Sequence, residues 1–152
     1  MKSRNFALIG ILASVLSACG GSKPKNIDGL YLFHMSSGGN EAYTGSVALE
    51  QASGSQVNVT SFQLLPLGNS SACFNPPVAE TAAFTATGSS NGFVTGMFNM
   101  TVTTLLPGAQ NNVLTVTGTR TSDGSVSGTW NMTGLTGCNG TGTFTMPVAP
   151  SM

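Results

Sequence analysis

The sequence is poor in charge, in histidine, in cysteine and in helical periodicity. Charged residues make up 7% of its 152 positions: five Lys or Arg and five Asp or Glu, with one histidine besides. No basic cluster exists, which excludes electrostatic capture of nucleic acid. One histidine (His34) and three cysteines (Cys19, Cys73, Cys138) are too few for a convincing zinc site. The uninterrupted apolar run Phe6 to Ala18 covers thirteen residues, whereas a helix needs about 20 to cross a bilayer. After Asp28 no segment of useful length repeats apolar residues at helical spacing, so no helix is expected. No serine stands in a nucleophile elbow, and SSGGN and NSSACF lack a base. The Gly-rich loops lack the strand–loop–helix setting of phosphate cradles. The five carboxylates are scattered, and only Glu41 with Glu80 invites comparison with glycosidase spacing. Composition therefore argues against an enzyme, a metal and a cofactor.

What is present begins at the N-terminus. MKSRNFALIGILASVLSAC has a basic start (Lys2, Arg4), a short apolar segment and small residues at its end, the pattern of a secretory signal peptide. Leu16-Ser17-Ala18-Cys19 resembles the lipobox of bacterial lipoproteins. The resemblance implies removal of residues 1–18, a diacylglycerol thioether on Cys19 and acylation of the new terminus, palmitate being the usual acyl group. Gly20 rather than Asp after the cysteine implies onward transport to the outer membrane in Gram-negative relatives. The alternative is an ordinary secreted protein cut after Ala18. Each buried acyl CH₂ contributes about 0.8 kcal/mol, so two or three chains make a stable anchor.

Residues 19–27 then read as a lipid anchor and flexible tether, and 28–152 as one domain. From Lys23 onward the chain has Lys23, Lys25 and Arg120 against Asp28, Glu41, Glu50, Glu80 and Asp123, a net charge of 3 − 5 = −2. With Cys19 lipidated, Cys73 and Cys138 remain in a compartment that permits disulfides. Closing a loop of about 66 residues would contribute roughly 4 kcal/mol. Free thiols, or pairing between chains, are the alternatives.

The rest alternates with period two. Val94, Gly96, Phe98, Met100 and Val102 share one face, while Thr95, Met97, Asn99, Thr101 and Thr103 share the other. NGFVTGMFNMT (91–101) recurs as DGSVSGTWNMT (123–133), each copy a turn signal followed by the strand it launches. Asn-Gly and Asp-Gly favour type I′ hairpin turns. Leu114, Val116 and Gly118, and Gly142, Phe144 and Met146, likewise oppose threonines. One apolar or glycine face and one threonine face describe an antiparallel sheet with a wet side. Eight strands are predicted: 29–35, 42–51, 56–64, 80–88, 92–105, 112–121, 124–133 and 140–147. The even connections are short. The odd ones (SSGGNE, LPLGNSSACFNPPVA, LPGAQN and GLTGCNG) are longer. Cys73 falls in the third and Cys138 in the seventh, so an up-and-down meander puts both at one end. Closing eight strands removes exposed edges; a two-sheet sandwich is the alternative.

Gly29-Leu30-Tyr31 resembles the Gly-x-Trp start of lipocalin- and avidin-like barrels, with Tyr in place of Trp, which implies that Tyr31 and Phe33 point inward. The chain as a whole resembles small, uncharacterised bacterial lipoproteins built as Gly/Thr-rich β-meanders, a likeness that implies a fold and no activity. The expected molecule is an all-β, eight-stranded antiparallel up-and-down barrel in the cell envelope, lipid-anchored at the outer membrane and without catalytic activity. Its loop rim, around Phe74, Pro76, Pro77, Pro107 and Cys138, would meet another protein or a glycan. The alternative is a lipocalin-like carrier holding a small apolar molecule among Phe98, Met100, Trp130, Met132 and Phe144. An eight-stranded barrel is often just wide enough for its own side chains.

Overall fold

The computed structural model describes residues 26–67, 73–108 and 110–150. The expected signal peptide and Cys19 lie outside them. The described chain forms eight strands: β1 (Gly29–Ser37), β2 (Asn40–Gln51), β3 (Gln56–Pro66), β4 (Val78–Ser90), β5 (Phe93–Thr104), β6 (Val113–Arg120), β7 (Val126–Thr133) and β8 (Gly140–Met146). They close into a barrel in sequence order, all neighbours antiparallel, with β8 returning to β1. The up-and-down barrel is what forms, and no two-sheet sandwich.

The period-two pattern dictates the faces. Tyr31, Phe33 and Met35 of β1 point inward, with Phe98, Met100 and Val102 of β5, Leu114 and Val116 of β6, Trp130 and Met132 of β7, and Phe144 and Met146 of β8. Thr115, Thr117, Thr119, Thr129, Thr141, Thr143 and Thr145 face water. Interior glycines stand beside interior rings. Gly118 pairs with Phe98, Gly128 with Phe144, and Gly142 with Trp130. A methyl group on Gly118 would lie 2.8 Å from the Phe144 ring and 2.5 Å from the Ser127 carbonyl oxygen. One on Gly142 would collide with the Ser36 carbonyl and lie 2.8 Å from the Trp130 indole nitrogen. Those rings take the space that side chains at these positions would otherwise fill.

Three turns show two geometries. Asn91 (φ 50°) and Gly92 (φ 80°) form the expected two-residue turn with both central residues at positive φ. Gly38 (φ 57°) and Gly39 (φ 84°) form another, so the first connection is tight, not long. Ser36 and Ser37 pair with Glu41 and Asn40, and the ladder consumes the residues expected in the loop. Asp123-Gly124 departs from type I′. Gly124 alone has positive φ (87°). The Asp123 carboxylate accepts hydrogen bonds from the Ser125 amide (3.0 Å), the Ser125 hydroxyl (2.7 Å) and the Thr121 hydroxyl (2.7 Å). That local bonding favours a longer turn with glycine at its last position, and β7 starts at Val126, two residues later than expected.

Both described ends of the chain lie at the tight-turn end of the barrel. Ile27 is buried there, and Tyr31 Oη donates to its carbonyl (2.9 Å). Arg120, 1% exposed, continues the inward phase of β6. Its guanidinium donates to the carbonyls of Gly124 (3.2 Å) and Val94 (3.2 Å) and lies 5.0 Å from the Phe93 ring centroid. Burial pushes the Tyr31 hydroxyl pKa up, opposed by Arg120, and the same burial lowers that of Arg120, opposed by Tyr31. This end is closed by side chains and by the chain itself.

Gly142→Ala should destabilise the barrel by about 1–3 kcal/mol, read from the midpoint of urea unfolding, and should shift Trp130 fluorescence. Three hydrogen bonds hold the Asp123 carboxyl down at about 2, from the usual carboxylate range. Their contribution is present above the unfolded-state pKa near 4 and is lost as pH falls toward 2. Asp123→Asn should therefore flatten the pH dependence of thermal unfolding between about pH 4 and pH 2.

Candidate interaction site

Three long connections meet at the opposite end through their described residues 67, 73–77, 105–108, 110–112 and 134–139. Cys73 and Cys138 are joined in a disulfide with Cα atoms 5.7 Å apart, linking the first of these loops to the third. The second is tied to both through Asn112, which is 4% exposed. Asn112 Nδ2 donates to the Cys73 carbonyl (2.7 Å), and Asn112 Oδ1 accepts from the Leu135 amide (2.9 Å). Its own backbone is held by Thr104, with the Asn112 amide donating to Thr104 Oγ1 (2.9 Å) and the Thr104 amide to the Asn112 carbonyl (3.0 Å). The Leu105 amide donates to Pro77 O (3.0 Å). One amide side chain and one disulfide thus make three loops a single body.

That body exposes leucine. Leu65 (49%), Leu67 (45%), Leu105 (48%), Leu106 (37%) and Leu135 (45%) belong to β3's exit and to the three loops. Such side chains in loops fixed by hydrogen bonds have no route into the core, and grouped apolar exposure marks an interaction surface. Leu105 and Leu106 fall in the stretch Leu105-Leu106-Pro107, which repeats Leu64-Leu65-Pro66 at the end of β3. The repeated Leu-Leu-Pro at strand exits was the available sequence signal.

The residues singled out from sequence are distributed as follows. Pro76, Pro77 and Pro107 are exposed on the rim, and the Pro76-Pro77 peptide is cis. Phe74 is buried, its ring 6.1 Å from that of Phe62. His34 Nδ1 lies 2.8 Å from Glu41 Oε1 on the outer surface, the carboxylate that stands across the first connection from it. Glu80 sits opposite Val102 on the inward phase of β4, so Glu41 and Glu80 face different sides of the wall. No three of His, Cys, Asp and Glu come together for a metal among the described residues.

Phe98, Met100, Trp130, Met132 and Phe144 all point into the barrel, and all belong to one core cluster. Phe144 packs on Phe33 (centroids 5.7 Å), Trp130 stands edge-on to Tyr43 (5.9 Å), and the Trp130 indole donates to Ser36 O (3.1 Å). A ligand-sized cavity would leave accessible area on its walls. Phe98 and Val102 have none, and Met100 and Met132 have 1% each. At these positions the barrel is filled.

One part of the wall is incomplete. β3 and β4 pair only through Gln56 with Ala83 and Val57 with Ala82. Beyond them the strands part around a cleft of about 470 Å³ lined by Val57, Asn58, Val59, Glu80, Thr81 and Ala82.

Asn112→Ala removes both side-chain ties at once and leaves the Leu135 amide without its acceptor. We expect a loss of about 2 kcal/mol in urea unfolding under oxidising conditions, with faster hydrogen exchange at Leu135. Comparison of the chain with protein-family models, with curated proteins and with solved structures gives no match.

Proposed function

We propose that this chain is an exported lipoprotein, anchored through Cys19 at the outer membrane, that performs no catalysis and presents its disulfide-crossed rim to a protein partner. The lipobox-like Leu16-Ser17-Ala18-Cys19 supports the anchor, and the Cys73–Cys138 disulfide fits an oxidising compartment. The observation that carries the interaction is the rim itself, with five exposed leucines at the exit of β3 and on the loops that Asn112 ties together. Their chemistry favours a protein over a polysaccharide. Sugar recognition leans on aromatic platforms, and the rim's Phe74 is turned inward. The filled interior speaks against the apolar-ligand carrier. The first described residues lie at the opposite end, which suits a rim held away from the anchoring membrane.

Burying the exposed halves of five leucines is worth roughly 5 kcal/mol, less than association can cost in lost freedom. The partner must therefore supply further contacts. A photo-crosslinking residue at position 105 or 135 of the lipidated protein in native envelopes should give one discrete adduct. The same residue at position 117, on the barrel wall, should give none. With the crosslinker at 105, Leu106→Asn and Leu135→Asn together should lose the adduct, and the triple variant Leu105→Asn, Leu106→Asn, Leu135→Asn without crosslinker should keep its melting temperature. Equal adducts from rim and wall would overturn the reading, and glycan-array binding that survives the triple variant would turn it to a sugar. Loss of palmitate labelling in Cys19→Ala checks the anchor.

A further inference from the structure

The β3–β4 seam carries an inference that does not depend on the leucine rim. In a sheet each strand satisfies its backbone groups on both sides. Here β3 is paired with β2 along its length, from Val57 to Pro66, and β4 is paired with β5 from Val78 to Ser90. On their facing sides the two share only the pairs at Gln56 and Val57. Among the described residues, the seam edges of Asn58–Ser61 and of Ala79–Thr81 therefore present backbone donors and acceptors with no strand partner. Unpaired edges of this kind accept an added strand.

The charge around the seam selects the occupant. Glu80 is half-buried in the cleft on the inward phase of β4, between Val78 and Ala82, and no hydrogen bond or ion pair engages it among the described residues. Glu50 stands directly across from Asn58 on β2 and is exposed. The described barrel has one Lys or Arg, Arg120, and it is buried at the closed end. No cation of the barrel can neutralise this mouth. The apolar floor of Val57, Val59 and Ala82 suits the stem of a long basic side chain.

We propose that the β3–β4 seam is a docking slot for a short extended segment of a partner protein, which pairs its backbone with the free edges and places a lysine or arginine on Glu80. The segment acts as a partial ninth strand. Its register is set by the cation: the carboxylate fixes one residue and the edges fix its neighbours.

The test uses the purified protein and an acetylated peptide of about nine residues, alternating valine and threonine with a central lysine, a length typical of a strand. In the free protein the seam-facing amides of Asn58–Ser61 and Ala79–Thr81 should exchange hydrogen rapidly. The peptide should slow them at least tenfold, while Leu135 and the rim stay unchanged. Glu80→Gln should weaken binding about tenfold, the scale of one charge-assisted hydrogen bond, and a central glutamate in the peptide should abolish it. Leu105→Asn should leave it intact, which separates this site from the rim. Slow exchange of the seam amides in the free protein would overturn the proposal, as would peptide binding indifferent to Glu80→Gln. So would a doubled mass in light scattering that vanishes with Glu80→Arg, since a second copy would then occupy the seam.

Discussion

The barrel depends on a constraint of room. Eight strands enclose an interior about wide enough for side chains, and this chain fills it with rings: Phe33, Phe98, Trp130 and Phe144. The rings fit because glycine stands beside them, Gly118 by Phe98, Gly128 by Phe144, and Gly142 by Trp130. Each glycine yields its side-chain volume to a neighbouring ring, so the rings pack without overlap. The doubled motif at 91–101 and 123–133 places Gly96 and Phe98, then Gly128 and Trp130, at matching positions two strands apart. Repetition in sequence is thus repetition of one packing solution around the wall.

Most of this was readable from the chain because the signals are local. Strand faces follow from alternation, and the β4–β5 hairpin follows from Asn91-Gly92. The side of the two cysteines follows from counting strands. Where reading failed, side-chain chemistry intervened. Asp123 bonds to Thr121 and Ser125 and turns an expected type I′ turn into a longer one. Ser36, Ser37, Asn40 and Glu41 look like loop residues but extend the ladder, because two glycines suffice for the turn. Asn112, in LPGAQNNV, resembles any loop asparagine; its role exists only once three loops meet. Arg120 looks like a surface cation at a strand end, yet its phase on β6 places it inside. The parted seam was also out of reach, since both strands read as ordinary and only their mutual register opens it.

The molecule is polarised along its axis. One end is shut by Ile27, Tyr31 and Arg120, with the Tyr31 hydroxyl and the Arg120 guanidinium donating to backbone carbonyls. The other carries the long loops, the disulfide and five exposed leucines, Leu65, Leu67, Leu105, Leu106 and Leu135. Rigidity at the second end has a physical reason. A loop that must expose apolar side chains would otherwise collapse on them, and the Asn112 and disulfide ties hold the backbone where collapse cannot occur. Order at the rim lowers the entropy cost of any later contact.

The location of Arg120 has a practical consequence. The chain's other Lys and Arg residues (Lys2, Arg4, Lys23 and Lys25) all precede residue 26. A trypsin-like protease therefore finds no accessible site in the barrel, since Arg120 is buried. Cutting after Lys25 would release residues 26–152 as one piece, disulfide and rim included. Amine-directed reagents would mark Lys23 and Lys25 and leave the barrel unlabelled.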